Sequence, residues 1–459
     1  MADTPAEIGD DLSRRVLRAL EAAPEEGPLT LYLSSSSTLG NDLTIPARCA
    51  LMFAPGVRVT LEHGMTLWVH GAVDLGFEPR FELRKGASVK LLGLLEEIRP
   101  EWWFGDDASA SLDAAVLIAV DRMTAGVAQA PIRLCGPYEL SRTLDLGALA
   151  RDQAMEFVLL GRHPRGDSVL RPTFLHHPES VGEFPLLRTS GGIRVSAEHV
   201  GFDTTVARMG APSTAPAALH QDAMGGTRYH RCSFWGAAAV RIEPGAPESD
   251  SAPDMPDVTF DGCWFEGVSR DGVAGAMLSV AEGQPADLHV SCCAFMGSAR
   301  ALIEMSVGAL DVQGCVFDNV VGSYGDGCDL LLNVGISSRG EVSKGGANLA
   351  LNELHVRTRS LRHVRAERDV STLGATVCMT GVVQDTSEID ADRASEFSSV
   401  SWRGPLSSSM VIQGCFLEGT IDVDDSLGIV SLATTLRGVP LVSRATRIRW
   451  SYPPIVSVT

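Results

Sequence analysis

The stretch Phe260-Asp-Gly-Cys263-Trp-Phe265 is one copy of a six-residue motif that recurs through the second half of the chain. In the clear copies the first residue is apolar or aromatic, the fourth is Cys and the sixth is Phe or Leu. Clear copies begin at Tyr229, Phe260, Val290, Val312 and Ile412, and weaker ones begin at Ala197 and Leu351. The last residues of successive copies, from position 202 to 317, are 32, 31, 30 and 22 residues apart. Such self-similarity predicts a solenoid whose repeats pack on each other, with loops of different size at one corner.

The spacing inside the motif predicts a strand, a tight bend and a second strand. Residues two apart in a strand face the same side, so Cys263 and Phe265 share a face. Phe260 would be out of phase with them unless a two-residue bend restores its inward direction. We expect the Cys and Phe side chains to stack as interior ladders, with neighbouring strands about 4.8 Å apart. Because no His, Asp or further Cys stands at metal-site spacing, the cysteines are predicted to be core residues, and no metal or cofactor is predicted.

Composition narrows the class of protein. The chain has 459 residues, 45% of them apolar, and 57 acidic against 38 basic residues give a formal net charge of −19. That balance argues against a nucleic-acid partner, which needs clustered Lys and Arg. No signal peptide and no apolar stretch long enough to cross a bilayer is visible, so no membrane partner is predicted. We expect a cytoplasmic or particle-associated protein whose ten cysteines are reduced.

Four segments are predicted along the chain. Residues 1–28 form a helical segment, because apolar residues share one helix face over Thr4–Ala23. Residues 29–98 form a region of short strands or a cap, since alternating pieces stop at Gly or Pro, and a sandwich, a barrel and a solenoid all stay open. A helix near 108–124, capped by Ser109 or Ser111, belongs to the start of the main solenoid over residues 99–430. Residues 431–459 add strands or a C-terminal cap.

Three segments together resemble a known group: the strand-and-turn run of residues 29–93, Pro100-Glu101-Trp102-Trp103 leading into Asp113–Met123, and the strand Ile132–Tyr138. They resemble the right-handed parallel β-helix proteins of the pectate-lyase-like superfamily, in the subset shared with phage tail spikes. In that group a Trp-Gly segment, an amphipathic helix that caps the first coil and a Pro-Gly-Tyr strand open the β-helix. Here the dipeptide is reversed, as Gly136-Pro137-Tyr138. The resemblance covers most of residues 29–420 and implies an all-β right-handed parallel β-helix.

The resemblance implies several chemistries, because the group includes polysaccharide lyases, glycoside hydrolases, epimerases and members without catalysis. A polygalacturonase-type site would use Asp326 and Asp329, which lie in a Gly-Asp-Gly-Cys-Asp stretch similar to that group's Gly-Asp-Asp-Cys motif. Gly327 replaces the second Asp, and no Gly-His-Gly or Arg-Ile-Lys follows. A turn that enters a strand is the alternative. No acidic run in the sequence matches an ordered calcium loop of the kind a pectate lyase would need.

A tail-spike-type hydrolase would place acid and base carboxylates on the flank of the rod without a linear motif. The candidates are Asp261 and Glu266, on either side of one motif copy, and Asp318, about one repeat away. Neighbouring repeats can bring two carboxylates within the roughly 5–10 Å that glycosidases use. Trp235 and Trp264 are the candidate faces for a sugar ring. The alternative is that these residues are the ordinary mixed residues of an outer β-face.

Two functions from different classes follow. The first is a β-helix scaffold or interaction protein that presents a carbohydrate-binding surface within a larger assembly. The second is a polysaccharide hydrolase or lyase. The absence of complete lyase and polygalacturonase motifs and the presence of only 5 Tyr favour the first. A polysaccharide and an assembly partner or second copy, joined through the ends of the β-helix, are the predicted partners, because uncapped ends expose strand edges.

Overall fold

The structure is a computed structural model of the 459-residue chain. It describes residues 11–23, 27–103, 105, 107–151, 153–162, 168–172, 184–204, 215–221, 226–236, 238–243, 256–267, 276–281, 285–297, 301–305, 307–318, 330–335, 347–352, 355–357, 362–367, 376–380, 383–385, 398–403, 408–418, 420–423, 427–437, 448–450 and 456–457.

Helices are few among these residues: α1 Leu12–Ala22, the 3-10 turn Pro100–Trp102, α2 Ala108–Thr124 and α3 Leu146–Ala150. A helix therefore stands at both places where the sequence predicts one. The predicted cap of α2 was wrong, because Asp107, rather than Ser109 or Ser111, precedes it and accepts a hydrogen bond from the Ser109 backbone N–H at 3.0 Å. A carboxylate is favoured there because the helix N-terminus carries partial positive charge. None of the described helices is long and apolar enough to cross a membrane.

The first strands form three small parallel sheets. Their members are Leu29–Leu33, Cys49–Phe53 and Val73–Asp74 in one sheet, Ser37–Leu39, Val59–Leu61 and Phe81–Leu83 in the second, and Leu43–Ile45, Thr66–Val69 and Ser88–Leu91 in the third. Each strand pairs in parallel with the strand three elements later, and alternate apolar side chains are buried. Of the architectures left open for residues 29–98, parallel pairing at this interval favours stacked three-strand repeats over a sandwich of hairpins.

The later strands also come in threes, and we name the three series row 1, row 2 and row 3. Row 1 contains Ile132–Arg133, Glu156–Leu160, Arg194–Glu198, Thr227–His230, Asp257–Asp261, Pro285–Ser291, Val307–Gln313, Ala347–Asn352, Thr376–Thr380, Ser408–Glu418, Leu427–Arg437 and Ile448–Trp450. Row 2 contains Tyr138–Leu140, Val169–Pro172, Gly201–Asp203, Ser233–Gly236, Trp264–Gly267, Ala294–Gly297, Val316–Asp318, His355–Arg357, Val383–Asp385 and Val456–Ser457. Row 3 contains Leu144–Asp145, Leu187–Thr189, Ala218–Gln221, Val240–Glu243, Ala276–Val280, Ala301–Met305, Leu330–Gly335, Arg362–Glu367, Ser398–Arg403 and Thr420–Val423.

Every described strand pairing in these rows is parallel. Rows 1 and 2 belong to one 22-stranded sheet, and row 3 is a ten-stranded sheet. Each strand pairs with its counterpart in the next repeat, as Tyr229 pairs with Phe260 in row 1 and Phe234 with Phe265 in row 2. The chain is therefore an all-β protein of parallel sheets with few helices, an arrangement compatible with a parallel β-helix.

From residue 194 to residue 318 a two-residue bend joins row 1 to row 2, whereas the earlier connections after Arg133 and Leu160 are longer. The motif predicts the bend at its second and third residues, but the structure places it one residue later, so that Cys263 lies in the bend. Between residues 194 and 318, the first bend residue of each repeat has a positive φ of 50–62°, in the left-handed region. Gly262 and Gly314 adopt it without strain, whereas Arg231 and Cys292 do so despite their side chains. The expectation of one variable corner was wrong. Both other connections vary in length from repeat to repeat.

Aromatic and cysteine side chains fill the interior on either side of this bend. The rings of Phe234, Phe265 and Phe295 stack in sequence, with centroids 5.0 and 4.5 Å apart and interplanar angles of 6° and 7°. The Cys263 thiol donates a hydrogen bond to the Tyr229 carbonyl of the preceding repeat at 3.2 Å. The predicted ladders are confirmed, and the cysteines also satisfy backbone groups that the bend turns inward.

Replacing Cys263 with Ala should lower the free energy of unfolding by about 1–3 kcal/mol, because the Tyr229 carbonyl loses its donor and a small cavity forms. Thermal and urea denaturation followed by circular dichroism would measure the loss. Cys292→Ala is the matched control, since Cys292 is exposed at the bend. Equal stability of the two variants would contradict a structural role for the buried thiol.

Three hydrogen-bonded polar side chains span the interior between rows 3 and 1. His220 is fully buried, with its Nδ1 2.8 Å from Thr189 Oγ1 and its Nε2 2.8 Å from the Tyr229 hydroxyl. Both ring nitrogens are therefore bonded, which is how a buried imidazole avoids a desolvation penalty. Burial lowers the pKa of His220 from 6.5 to about 4, because the charged form is penalised in the apolar interior.

Stability should therefore fall as the pH is lowered from about 6.5 to about 4. The unfolded chain binds a proton at its ordinary histidine pKa, whereas the folded chain keeps His220 neutral until the pH nears 4. The loss attributable to this residue is about 3 kcal/mol and levels off below the folded-state pKa. Urea denaturation across this window should show a flatter pH dependence for His220→Gln. His63→Gln, at an exposed site, should keep the parent slope. Identical slopes for the two variants would contradict this assignment.

Candidate functional site

A chain of hydrogen bonds crosses three repeats on the outer face of row 1. Its members, His230, Asp261 and Ser291, are register partners in neighbouring parallel strands. His230 Nδ1 lies 3.0 Å from Asp261 Oδ2, and the Ser291 hydroxyl donates to Asp261 Oδ1 at 2.9 Å. The strand register, which the inward ladders hold, therefore sets these outer contacts.

The order of the three side chains in this hydrogen-bonded series differs from the order that a nucleophilic relay needs. A Ser-His-Asp relay needs the imidazole between hydroxyl and carboxylate, so that the imidazole can take the hydroxyl proton. Here Asp261 stands in the middle, and Ser291 donates to it directly. Both oxygens of Asp261 already have a protein partner. The arrangement fits a positioned carboxylate, whose remaining lone pairs can accept from a ligand hydroxyl or amine.

Two indoles stand on the outer face of row 2, just after the bend. Trp264 Nε1 donates to Glu266 Oε2 at 3.3 Å, and Trp235 is the register partner of Glu266 in the preceding repeat. The Trp235 indole covers the backbone of Gly201, where an added Cβ would lie 2.9 Å from Trp235 Cζ3. Both tryptophans are partly buried. The indoles are thus held in place while part of each remains on the surface.

A buried hydroxyl without a partner lies among these indoles. Ser233 is the register partner of Trp264 and stands two residues before Trp235, on the same face of its strand. Ser233 is 0% exposed, and its Oγ has no hydrogen-bond partner among the described residues. An unsatisfied buried hydroxyl costs about 1–3 kcal/mol, so a polar group that reaches it is favoured.

The structure brings four of the predicted site residues to one part of the surface. Asp261 precedes the bend, Trp264 and Glu266 follow it, and Trp235 lies one repeat earlier. Asp318 stands at the same register position of row 2 as Trp235 and Glu266, in a series of register partners that we call a column. It lies two repeats beyond Glu266 rather than the predicted one, and its side chain lies outside the described part of the structure. Their catalytic and sugar-binding roles remain predictions.

Two other predicted site residues, Asp326 and Asp329, lie outside the described residues. Sequence reasoning in turn missed Ser233 and Ser291. Alignment of the motif copies carried a signal for Ser291, because it holds the same motif position as Asp261. No sequence signal marks Ser233 as a buried hydroxyl without a partner.

Carboxylates dominate the neighbouring outer columns. Asp257 and Asp287 are register partners, and Asp287 Oδ1 lies 3.4 Å from His289 Nε2. Asp311 approaches the other ring nitrogen of His289 at 4.0 Å. Across the described ranges, no group of three or more His, Cys, Asp or Glu side chains is arranged to hold a metal ion.

No protein-family model, no curated protein and no solved structure matches this chain. The resemblance of its sequence motifs to the pectate-lyase-like group is accompanied in the structure by the parallel pairing of its strands. Similarities of that kind concern architecture, and they specify no substrate.

Replacing Gly201 with Ala should displace the Trp235 indole. The new Cβ would lie 2.9 Å from Trp235 Cζ3 and 3.1 Å from Val169 Cγ2, so a neighbour has to move. We expect altered tryptophan fluorescence and near-UV circular dichroism, with a loss of about 1–3 kcal/mol in unfolding free energy. Gly136→Ala is the matched control, because nothing lies within 4 Å of a Cβ there. Spectra of Gly201→Ala that match the parent would be inconsistent with this placement of the indole.

Proposed function

We propose that the chain is a right-handed parallel β-helix of the pectate-lyase-like and tail-spike-like kind, and that it is a scaffold or interaction protein that presents a carbohydrate-binding face. Three rows of parallel strands, with stacked Cys and Phe side chains inside, support the solenoid. The right hand is favoured because crossovers between parallel strands are right-handed in about 98% of cases.

The observation that carries the binding function is the pair of indoles on the outer face, Trp235 and Trp264, with a carboxylate beside them. A sugar ring has an apolar face of C–H groups that packs on an indole, and hydroxyls at its rim that donate to carboxylates. Glu266 accepts a hydrogen bond from the Trp264 indole at Oε2, and a carboxylate has further lone pairs that can accept from a ligand hydroxyl. Asp261, across the bend, adds another acceptor.

The stacked strands support an extended ligand. Neighbouring strands lie about 4.8 Å apart, a spacing close to the length of one sugar residue. Trp235 and Trp264 belong to successive repeats, so one saccharide chain that lies along the stack can contact both. A rigid sheet also holds such groups better than a loop does.

The ends of the stack are the proposed sites for an assembly partner. A terminal strand presents unpaired N–H and C=O groups, and it pairs with another chain unless it is covered. Leu29–Leu33 is the end strand of its sheet. Its Tyr32 is 57% exposed and lies beside its register partner Met52, which is 37% exposed. An apolar patch next to a sheet edge supports association with a second copy or another subunit.

The Trp235→Ala and Trp264→Ala variants should each weaken binding to a recognised polysaccharide by about 1–3 kcal/mol, which is roughly 5- to 150-fold in the dissociation constant. The reason is the loss of an indole face with little change in charge. A glycan array would identify the polysaccharide, and isothermal titration calorimetry would measure its affinity.

Trp68→Ala is the matched control, because Trp68 is a partly buried outer residue of the N-terminal sheets. Its affinity should equal that of the parent. Assays for reducing-end release and for unsaturated products on the same polysaccharides, with Asp261→Asn beside the parent, test the alternative of a hydrolase or lyase. Turnover that Asp261→Asn abolishes would replace the scaffold proposal with an enzyme, and binding to no glycan at all would remove the carbohydrate-binding role.

A further inference from the structure

We infer that the glycan bound by the Trp235 and Trp264 face carries free amino groups and no acidic groups. The inference rests on the proposed carbohydrate-binding function and adds the substrate class. It is argued from the charges of rows 1 and 2 around the two indoles, and from the unpartnered hydroxyl between them.

Three successive repeats of rows 1 and 2, residues 256–267, 285–297 and 307–318, contain no Lys and no Arg. The same stretches contain six carboxylates. They are Asp257, Asp261, Glu266, Asp287, Asp311 and Asp318. The titratable base among them is His289, which already lies 3.4 Å from Asp287 and 4.0 Å from Asp311. We call these three stretches the acidic wall. The acidic wall carries a negative charge that no guanidinium or ammonium group within the stretches offsets.

Positive charge flanks these repeats on both sides: Arg231 Cγ lies 3.4 Å from the position of a Cβ on Gly262, and Arg357 is the register partner of Asp318 in the next repeat. Arg194, Arg228 and Arg231 belong to the two repeats before Asp257, and all three are exposed. The two indoles stand where these two repeats meet the acidic repeats. An extended glycan that reaches from the indoles over the later repeats therefore meets only carboxylates and His289 among the charged side chains of those stretches.

Indoles and carboxylates together select for an ammonium group. A cation near the face of an indole is attracted by about 0.5–2 kcal/mol, and a nearby carboxylate adds a charge-assisted hydrogen bond. A uronate, phosphate or sulfate would need an Arg or Lys partner, and the acidic repeats supply none. Like charges on the glycan and the wall would repel, so the face disfavours an acidic polysaccharide.

Ser233 is an independent indication that a ligand belongs at this place. Its side chain is completely buried beside Trp264 and Trp235, and its Oγ has no hydrogen-bond partner in the described part of the chain. A sugar hydroxyl or amine that bonds with Oγ would satisfy it. An apolar ligand would leave Ser233 unsatisfied.

The test uses two glucosamine oligomers of equal length, one with free amines and one fully N-acetylated, in mildly acidic buffer where the amines are protonated. We expect the free-amine oligomer to bind about tenfold more tightly or better, and its affinity to fall with added salt. An oligogalacturonate of the same length should show no binding. Isothermal titration calorimetry on the full chain measures all three.

Charge variants locate the effect on the acidic wall. Asp287→Asn and Asp311→Asn should each reduce the preference for the free-amine oligomer about two- to fivefold, while binding of the N-acetylated oligomer stays unchanged. Glu62→Gln, an exposed carboxylate in the N-terminal sheets, is the matched control and should leave the preference intact.

Three outcomes would overturn the inference, and they differ in whether the proposed carbohydrate-binding function is retained. Equal or tighter binding of the N-acetylated or galacturonate oligomer overturns the amino-sugar preference and leaves the carbohydrate-binding function in place. Tighter binding of an oligolysine with the same number of charges overturns the glycan as the ligand and favours a basic peptide. Binding of none of these probes, together with no glycan on the array, overturns both proposals.

Discussion

The polar backbone groups at the bend between rows 1 and 2 lie in an apolar interior, and the rest of the structure depends on their being satisfied. The Cys263 thiol reaches back to the Tyr229 carbonyl, and the Cys293 sulfur accepts from the Cys263 backbone N–H at 3.3 Å. Each of these bonds spans one repeat, so it forms only in the correct register. Because side chains alternate along a strand, the same register places His230 beside Asp261 on the outer face.

Sequence reasoning predicted the inner half of this structure well. Cys263 and Phe265 are two residues apart, and strand alternation predicts a shared face. Both side chains are buried, although Cys263 lies in the bend just before the strand. The helix near 108–124 could be placed for the same reason, since its period is local. Its cap could not be identified, because Asp107 and Ser109 are both good capping residues. The stacked repeats of residues 29–98 were left among three architectures, because short alternating strands look alike in sandwiches and solenoids.

The outer site could be predicted only in part. Trp264 and Glu266 lie close in sequence, so their proximity on one face follows from the strand. The burial of Ser233 and the placement of Trp235 over Gly201 depend on contacts between repeats, and nothing local encodes either of them. The outer carboxylates could not be predicted as a group either. Each is an ordinary surface residue in its own repeat, and they become neighbours only because the repeats stack. Like charges at register positions weaken a sheet, which is a cost that proteins tolerate mainly where function needs the charge.

The fixed length of the bend has a consequence for how such a chain can change. Two residues separate Glu198 from Gly201 and Asp261 from Trp264, whereas 14 residues separate Asp203 from Ala218 and 13 separate Glu243 from Asp257. An insertion at either of the latter connections leaves every stacked ring and thiol in place. A residue inserted at the bend has to be looped out there, because otherwise the next row 2 strand would turn its inward side chains outward. Evolution, or an engineer grafting a foreign epitope, can therefore diversify two edges of these repeats most easily, while the third keeps its two-residue length from residue 194 to residue 318.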